Sequence, residues 1–410
     1  MYSLLIHFYA FIVALISPFH RKARRMRLGQ WKTNACLRDK IDPEAQYIWF
    51  HAASLGEFEQ GRPMMEKIRK EHPEYKILLT FFSPSGYEVR KNYNGADVIC
   101  YLPFDTPYRV RKFLQLARPR MAIFIKYEFW GNYLHELKKR GIPVYIISAI
   151  FRPDQLFFQW YGKPYRQMLH CFDHLFVQDE RSKKLLAEYG IRNVTVTGDT
   201  RFDRVLDVRA MARELPLVEK FIRSNRSEKT VTLVAGSSWP EDEAIFIPYF
   251  HRHPEMKLII APHEIHREHL VHIESMLKRP SIRLSEAHEE DLATKDCLII
   301  DSFGLLSSIY RYGEIAYIGG GFGAGIHNTL EAAVYGIPVL FGPKYHKFKE
   351  AKDLIAVGGG VSVADAGAFA RQMDEWLTKG VALEVAGKAA GDFVNEHAGA
   401  TEMILKEISL

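Results

Sequence analysis

The chain contains few cysteines, and they follow no pattern. Its 410 residues include four scattered cysteines and no Cys-x-x-Cys pair. This excludes a small disulfide-based domain and a structural zinc site of the usual spacing, and it favours a reducing compartment. Low-complexity tracts and short repeats are lacking as well. With 47% hydrophobic and 25% charged residues, the composition is that of an ordinary globular protein, and the length suggests two domains.

Two common cofactor patterns are incomplete, and the Asp-x-Asp motif of many metal-dependent transferases is lacking. The segment that starts at His263 resembles the zinc pattern His-Glu-x-x-His, but Arg267 occupies the position of the second histidine. The glycines of residues 319–325 do not match a dinucleotide fingerprint, and the next predicted strand carries no acidic residue for a ribose. The sequence therefore predicts no metal and no cofactor. We interpret His263 and Arg267 as nucleotide contacts or surface residues.

No acidic residue precedes Asp39, and no apolar run near the N-terminus is long enough to span a bilayer. An apolar stretch from Leu4 to Ile16 is followed by basic residues, whereas a signal peptide has its charges first. Residues 1–35 are therefore predicted to form an interfacial membrane-anchor helix and basic segment, with the rest of the chain in the cytoplasm. The alternative is an amphipathic helix packed on the protein's own core. Nucleic-acid binding is not expected, because the basic residues lie beside an apolar helix rather than among base-stacking aromatics.

The rest of the chain alternates short apolar runs with amphipathic stretches, which indicates two parallel, doubly wound sheets. The first series of predicted strands is Tyr47–Ala52, Lys76–Phe82, Asp97–Leu102, Met121–Tyr127, Val144–Ala149, His174–Gln178 and Val194–Thr197. After a charged, helix-like linker near 204–228, the second series is Thr230–Ala235, Lys257–Ala261, Cys297–Asp301, Ile315–Gly319, Pro338–Phe341 and Gly360–Val363. We therefore expect two Rossmann-like domains that face a cleft, residues 36–210 for an acceptor and residues 211–410 for a donor, with ligands at the carboxyl ends of the strands. The last helix could return to the N-terminal domain.

A glycine-rich turn, residues 319–325, follows a predicted strand of the second series. Glycines let the backbone approach a ligand, and a helix that begins near His327–Asn328 would favour an anion at its N-terminus. Glu331 lies about one helical turn after Asn328, so both side chains can face the same ligand. These features predict a site for a nucleotide-linked substrate. The alternative is that the glycines serve only a tight turn.

The first predicted strand is followed by His51-Ala-Ala-Ser-Leu-Gly-Glu-Phe-Glu59, in which Ser54 and Gly56 suit a tight turn into a helix. Glu57 falls in the first helical turn and could serve as a general base that removes a proton from an acceptor hydroxyl. The alternative is that Glu57 only complements the helix dipole. Glu59 is a competitor, although it should point to a different side of the helix.

Three further segments carry polar side chains at predicted strand ends. Glu128 lies on a loop between aromatic residues, as in a sugar or lipid acceptor site, although an ion pair with Lys126 or a nearby arginine is an alternative. Arg201 can bind a carboxylate or phosphate through two parallel hydrogen bonds. Ser237 and Ser238 follow the first strand of the second series and are expected to expose backbone N–H groups and hydroxyls to a phosphate.

These motifs, in this order, resemble the 3-deoxy-D-manno-octulosonic acid (Kdo) transferases of lipid A assembly, and the resemblance covers nearly the whole chain. The matching pieces are the N-terminal helix, His51–Glu57, Tyr101–Asp105, Glu128–Trp130, Val177–Gln178, Gly198–Asp203 and Gly319–Glu350. The resemblance implies a two-domain GT-B glycosyltransferase fold and an inverting, metal-independent reaction. It also implies transfer of Kdo from CMP-Kdo to a lipid A precursor, lipid IVA, at the cytoplasmic side of the inner membrane during lipopolysaccharide biosynthesis.

Carried over by position, Glu57 is the general base, Asn328 and Glu331 hold the CMP ribose, and the glycine turn holds its phosphate. In Gly198–Asp203, Arg201 stands where the family usually has lysine, and an aspartate replaces the asparagine. The predicted acceptor-binding residues are Ser54, Gly56 and Glu128. The predicted donor-binding residues are Arg201, Ser237, Ser238, His263, Gly320, Gly321, Gly323, Gly325, Asn328 and Glu331. The alternatives are a GT-B enzyme that uses another nucleotide sugar, and a non-catalytic binding protein with a nucleotide fold.

Overall fold

The computed structural model describes residues 2–224, 227 and 230–410. The chain forms two compact units, unit 1 from the N-terminus to Arg204 together with Ala398–Leu410, and unit 2 from Val205 to His397. The predicted linker contains two helices, and its residues 225, 226 and 228 lie outside the described residues.

Unit 1 contains seven parallel strands in the order β3-β2-β1-β4-β5-β6-β7. These strands are β1 (Gln46–Ala52), β2 (Tyr75–Phe81), β3 (Val98–Tyr101), β4 (Pro119–Ile125), β5 (Val144–Ala149), β6 (His174–Val177) and β7 (Val194–Val196). Its helices are α1 (Tyr2–Ile16), α2 (Arg21–Lys40), α3 (Leu55–Glu71), α4 (Pro84–Arg90), α5 (Pro107–Ala117), α6 (Gly131–Lys139), α7 (Lys163–Arg166) and α8 (Glu180–Glu188), with α9 (Arg201–Ala210) containing the unit boundary.

Unit 2 repeats this architecture, with seven parallel strands in the order β10-β11-β9-β8-β12-β13-β14. Its strands are β8 (Val231–Ser238), β9 (Met256–Pro262), β10 (Ser281–Arg283), β11 (Cys297–Ile299), β12 (Ile315–Ile318), β13 (Val339–Phe341) and β14 (Gly360–Ser362). Its helices are α10 (Pro216–Arg223), α11 (Pro240–Arg252), α12 (Arg267–Met276), α13 (Leu306–Ile309), α14 (Leu330–Ala333), α15 (Lys349–Ala356), α16 (Ala366–Thr378) and α17 (Gly380–Glu396), while α18 (Ala400–Glu407) belongs to unit 1.

The central strands are mostly apolar, as expected for sheets with helices on both faces. In β1, Tyr47 and Trp49 belong to one core cluster, whereas Ile48 and Phe50 belong to another. Side chains alternate between the faces of a strand, so a strand buried on both faces reads as a continuous apolar run. The prediction of two doubly wound α/β domains is therefore confirmed. Strand order reverses next to β1 and β8, and in open α/β sheets ligands bind at the carboxyl ends of the strands at such points.

All thirteen predicted strands are present, with ends shifted by at most three residues. The prediction missed β10, a strand of three half-buried residues at the edge of the second sheet. A strand this short with a single apolar side chain has no readable periodicity, so only its pairing with β11 defines it.

The apolar and basic parts of the predicted N-terminal anchor are separate helices, α1 and α2. No single helix in the described part of the chain is long and apolar enough to cross a bilayer; α1 and α2 together meet that requirement by length and composition, but they are bent by 118°. The beginning of α1 is held by unit 1, since the Tyr2 hydroxyl donates to Asp105 at 2.6 Å and accepts from the Gly131 amide at 3.0 Å. Large apolar side chains of this region are nevertheless exposed, namely Leu4, Leu5, Phe8, Tyr9, Phe11, Leu15, Ile16 and Phe19.

Asp105 connects α1 to the first turn of α6. Its carboxylate also accepts hydrogen bonds from the backbone amides of Asn132 at 3.0 Å and Tyr133 at 2.9 Å. Burial raises the pKa of Asp105 to about 6, and the bonds from Tyr2, Asn132 and Tyr133 offset only part of that effect. Asp105 thus caps the first turn of α6, and burying its side chain costs less free energy when the carboxyl group is protonated.

We expect the stability of unit 1 to fall as Asp105 ionises. A carboxyl group with a raised pKa contributes stability that is fully present below its unfolded pKa of about 4 and is lost as the pH rises through about 6. Relative to Asp105→Asn, the free energy of unfolding of the wild type should fall by about 2–3 kcal/mol between pH 4 and pH 7. Denaturant titrations of both proteins across this range measure the difference, and parallel profiles would contradict the assignment.

Candidate functional site

Glu57 lies in the first turn of α3, directly after the carboxyl end of β1. It is half-buried, and the Ser54 hydroxyl donates a hydrogen bond to its carboxylate. Within the described residues, no cationic side chain forms an ion pair with Glu57. The neighbouring Glu59, in contrast, pairs with Arg90 at 2.7 Å and with Arg204 at 3.6 Å. Glu57 is therefore the carboxylate of this turn that remains available to accept a proton, whereas Glu59 holds helices together.

Glu128 is almost fully buried and belongs to a hydrogen-bonded cluster at the ends of β1 and β4. Its Oε2 lies 3.0 Å from Nε2 of His51 and accepts a 2.7 Å bond from Nε1 of Trp130. His51 Nδ1 is 2.9 Å from the Thr80 hydroxyl, which fixes the ring from its other side. The expected alternative partners of Glu128 were Lys126 or an arginine, and His51 was not predicted because a histidine within a mostly apolar strand carries no local sign of its partner.

The phenol of Tyr127 lies within electrostatic range of several charged side chains of unit 1. Burial raises the pKa of its phenol, and Arg152, Asp199, Arg201 and Glu57 all lie close enough to influence it by their charge. Glu57 and the two arginines therefore all lie within electrostatic range of one aromatic ring. Arg152 is exposed on the loop after β5 and was not predicted as a site residue. Such a set can bind an anionic sugar while a carboxylate accepts a proton.

Arg201 is bound to Asp199 within its own loop. The buried carboxylate of Asp199 accepts bonds from Nε of Arg201 at 3.0 Å and from Nη2 at 2.8 Å, and the amide of Gln60 donates to it at 3.1 Å. Burial by itself would raise the pKa of Asp199. The charge and hydrogen bonds of Arg201 outweigh that effect and hold this pKa below its usual value. Asp199 and Arg201, the two residues of this motif that differ from the usual pattern of the similar family, thus pair with each other. Asp199 occupies the edge of the guanidinium group that we predicted would bind a ligand through two hydrogen bonds.

In unit 2, a buried carboxylate holds the glycine turn in place. Asp242, which is 1% exposed, accepts bonds from the amide of Gly320 at 2.8 Å, the amide of Trp239 at 3.0 Å and the hydroxyl of Tyr317 at 3.0 Å. Burial raises the pKa of Asp242, and these bonds offset part of the effect. The position of the glycine turn therefore depends on Asp242, which was not among the predicted site residues.

Packing alone requires some of the glycines in this turn. A Cβ on Gly321 would lie 2.5 Å from the backbone of Gly342, and Gly320 has a φ of +90°. The amides of Gly323 and Gly325 donate to the carbonyl of Gly320 at 3.0 and 3.1 Å. These two amides are used within the turn, so fewer backbone donors face a phosphate than the motif suggested.

The helix that follows the turn begins at Leu330 and contains four residues, so the prediction of a helix from His327–Asn328 was wrong. The side chain of Asn328 accepts from the amide of Leu330 at 3.1 Å and donates to Glu331 at 3.1 Å. This local bond competes with a helical turn at Asn328. Asn328 and Glu331 do lie side by side and half-buried, but so short a helix has little dipole to offer an anion.

Three aromatic rings form a stack at the ends of β8, β9 and β12. The ring of His263 is 4.7 Å from that of Trp239 and 4.4 Å from that of His327, with both interplanar angles at 27°. Burial, reinforced by His263, lowers the pKa of His327 to about 4. His263 is exposed, so the stack presents a flat surface that suits a planar ring such as a nucleobase. Trp239 and His327 were not among the predicted site residues.

The expectation that Ser238 exposes its hydroxyl was wrong. Strand β8 continues through Ser238, whose side chain is buried and donates to Glu243 at 2.9 Å, and Glu243 in turn contacts His269 at 3.0 Å. Ser237 stays half-buried, with a left-handed φ of 53°. Among the residues that the structure describes, no three His, Cys, Asp or Glu side chains are grouped as a metal ion would require.

Comparison with known proteins identifies relatives for both halves of the chain. A family model described as 3-deoxy-D-manno-octulosonic-acid transferase (kdotransferase) matches residues 22–204. The 3-deoxy-D-manno-octulosonic acid transferase of Haemophilus influenzae is 25% identical over 408 residues, covering 96% of this chain and 92% of the relative. That of Bordetella pertussis is 28% identical over 407 residues, covering 94% of this chain and 93% of the relative.

Solved structures agree on the fold. The UDP-GlcNAc 2-epimerase of Neisseria meningitidis aligns with a TM-score of 0.60 at 14% identity, covering 88% of this chain and 99% of that one. MurG of Acinetobacter baumannii aligns with a TM-score of 0.56 at 12% identity, covering 88% of this chain and 98% of that one. At such low identity, these likenesses concern the two-sheet α/β fold alone.

Proposed function

We propose that this chain is a glycosyltransferase of the 3-deoxy-D-manno-octulosonic acid (Kdo) transferase family, to which its sequence is similar over nearly its whole length, and that it transfers Kdo from CMP-Kdo to lipid IVA in lipopolysaccharide biosynthesis. The observation that carries the proposal is the site around Glu57 in unit 1. It combines a half-buried carboxylate at the end of a central strand, without an ion-pair partner in the described chain, with two arginines whose charges act on the same tyrosine as that carboxylate. An anionic sugar donor needs cationic contacts, and its acceptor hydroxyl needs a base.

We assign the roles as follows. Glu57 removes the proton from the acceptor hydroxyl as its oxygen bonds to the anomeric carbon of Kdo, while the bond from that carbon to the CMP phosphate breaks and CMP leaves. Ser54 orients the Glu57 carboxylate through the hydrogen bond between them. Glu128, which buried His51 holds in place, and Gly56 are assigned to the acceptor side. Because Arg201 is bound to Asp199, we assign it a positioning role beside the donor, and Arg152 becomes the more accessible cation for the sugar carboxylate.

Unit 2 holds the donor in this proposal. Asn328 and Glu331 are placed together to bind the ribose, the turn containing Gly320, Gly321, Gly323 and Gly325 binds the phosphate, and the ring of His263 stacks on the base. Ser237 remains a candidate phosphate contact. Ser238 is retained only as a residue that fixes Glu243, since its hydroxyl is buried.

The test is transfer from CMP-Kdo, generated in the assay, to purified lipid IVA, with products identified by mass. We expect a gain of one or more Kdo units, and a parallel reaction with UDP-GlcNAc should give no product. A wild type that is folded and supplied with donor but yields no Kdo adduct would contradict the proposal. Product from the UDP-sugar instead would indicate another member of the fold.

We further propose that the enzyme lies on the cytoplasmic side of the inner membrane with α1 in the interfacial region. The apolar side chains Phe8 and Phe11 are 61% and 58% exposed, and the basic residues of α2 suit anionic headgroups. Both observations favour a peripheral or monotopic protein that meets its lipid acceptor at the surface.

Replacing Phe8 and Phe11 together by serine should weaken binding to anionic vesicles by at least about tenfold, even if each ring is only partly buried in the bilayer. Sedimentation with vesicles measures the change. The matched control is Val381→Ser with Val385→Ser, at residues 72% and 62% exposed on α17 of unit 2. Equal binding of both double variants would count against α1 as the membrane contact.

A further inference from the structure

A cavity of about 510 Å³ lies between α1, α2 and the segment that joins β3 to α5. Helix α1 contributes small side chains at Ala10 and Ala14, which leave the space open. None of the candidate donor-binding or acceptor-binding residues lines it. Its volume is that of a ligand pocket rather than of a site for one water molecule.

At this cavity, three buried amide atoms of Gln30 and Asn34 lack hydrogen-bond partners within the described structure. Gln30 is 6% exposed, and neither its nitrogen nor its oxygen has a partner within the described structure; the same holds for Oδ1 of Asn34. Both residues line the cavity. Buried amides are nearly always satisfied because an unmade bond costs free energy. The cavity therefore favours a polar ligand that supplies both a hydrogen-bond donor and an acceptor.

The charged and apolar side chains that line the cavity indicate which chemical groups that ligand should carry. Arg27 and Arg109 line the cavity, and no acidic side chain does. The apolar contacts come from Leu28, Trp31 and Phe104, and Trp31 is 83% exposed. An anionic group would meet the arginines, hydroxyl groups would donate to the two amide oxygens, and a hydrocarbon chain would lie on the apolar side chains.

We propose that this cavity binds the headgroup and the first part of an acyl chain of an anionic glycerophospholipid whose headgroup carries hydroxyls. Phosphatidylglycerol has that combination. The exposed apolar side chains of α1 around the cavity support a ligand that comes from a bilayer rather than from solution. The inference rests on the proposed placement at the membrane surface, and it adds a specific lipid site to it.

The alternative ligand of this cavity is the acceptor lipid, because packed aromatic rings connect the cavity to the proposed acceptor side of the site. The ring of Phe104 contacts that of Phe82 at 6.0 Å, and Phe82 contacts Trp130 at 4.6 Å. Trp130 donates to Glu128, so the cavity is linked by packed rings to the acceptor side of the site. An experiment must therefore separate a bilayer lipid from the substrate.

The test compares vesicles of phosphatidylcholine that contain equal fractions of either phosphatidylglycerol or phosphatidylmethanol, which has the same charge and no hydroxyl. We expect the wild type to bind the phosphatidylglycerol vesicles about fivefold more tightly, as one or two added hydrogen bonds allow. Gln30→Leu should bind both kinds equally, at the phosphatidylmethanol level. Because leucine removes an unpartnered buried amide, the melting temperature of this variant without lipid should not fall.

Arg109→Gln provides a second variant at an exposed position, and Lys22→Gln is its control. Lys22 is an exposed basic residue of α2 that does not line the cavity. Arg109→Gln should weaken binding to phosphatidylglycerol vesicles more than Lys22→Gln does, although both remove one charge.

Equal binding of the wild type to both kinds of vesicle would overturn the proposal, as would selectivity that survives in Gln30→Leu. If that variant instead raised KM for lipid IVA in phospholipid-free micelles, the cavity would belong to the acceptor. These outcomes do not depend on turnover in vesicles, so they stay distinct from failure of Kdo transfer. A wild type that bound neither vesicle would contradict the membrane placement itself.

Discussion

Glu57→Gln is expected to lower kcat for Kdo transfer by about 10²–10⁴-fold with little change in donor affinity, because glutamine cannot accept the acceptor proton. Glutamine keeps the size of the side chain and can still accept the bond from Ser54. Rates are measured at saturating donor with lipid IVA as acceptor, and donor affinity is measured by calorimetry. Full turnover by this variant would remove Glu57 from the mechanism.

Glu59→Gln is the matched control for this experiment, two residues along the same helix. It breaks ion pairs with Arg90 and Arg204, so it should lower the free energy of unfolding and leave kcat close to that of the wild type. If both variants lost the same fraction of activity, the effect would come from the position of α3 rather than from proton transfer.

Asp242→Ala is expected to lower the free energy of unfolding of unit 2 by about 3–5 kcal/mol and to weaken donor binding by at least about tenfold. The substitution leaves the buried hydroxyl of Tyr317 and the amides of Gly320 and Trp239 without their acceptor, and each such group costs about 1–3 kcal/mol. Denaturant unfolding and calorimetry with CMP measure the two effects. Donor affinity at the wild-type level in the folded variant would show that the turn does not hold the phosphate.

Glu241→Ala controls for the charge of this helical turn. Glu241 is adjacent to Asp242 and exposed, so its removal should change stability by no more than about 0.5 kcal/mol. Asp242→Asn should be intermediate, since an asparagine oxygen can replace only part of the carboxylate's acceptor capacity.

The family motifs include residues whose role is structural rather than chemical, and only the structure separates the two. Asp203 closes the motif Gly198–Asp203, and its carboxylate accepts the amide and hydroxyl of Thr401 at 2.7 and 2.6 Å, which holds α18 on unit 1. Asp105, in another motif, caps α6 and binds Tyr2. The sequence motifs alone do not show that these two carboxylates hold elements of the fold in place.

The sequence by itself determined the two α/β domains and the position of nearly every strand, whereas Glu57 as the base stays a prediction. Strands that are buried on both faces are mostly apolar, and turns into helices carry small residues, so both features are local and can be read from neighbouring residues. The distinction between Glu57 and Glu59 was also predicted in part, since two residues along a helix point in different directions.

Contacts between residues distant in the chain were decided only by the tertiary structure. His51 and Glu128 are 77 positions apart and meet because β1 and β4 are neighbours in the sheet, and Asp242 reaches Gly320 because β8 lies beside β12. Ser238 turned inward because its strand ran further than its composition indicated. Hydrogen bonds form between groups that packing brings together, and no local pattern records which strand ends become adjacent.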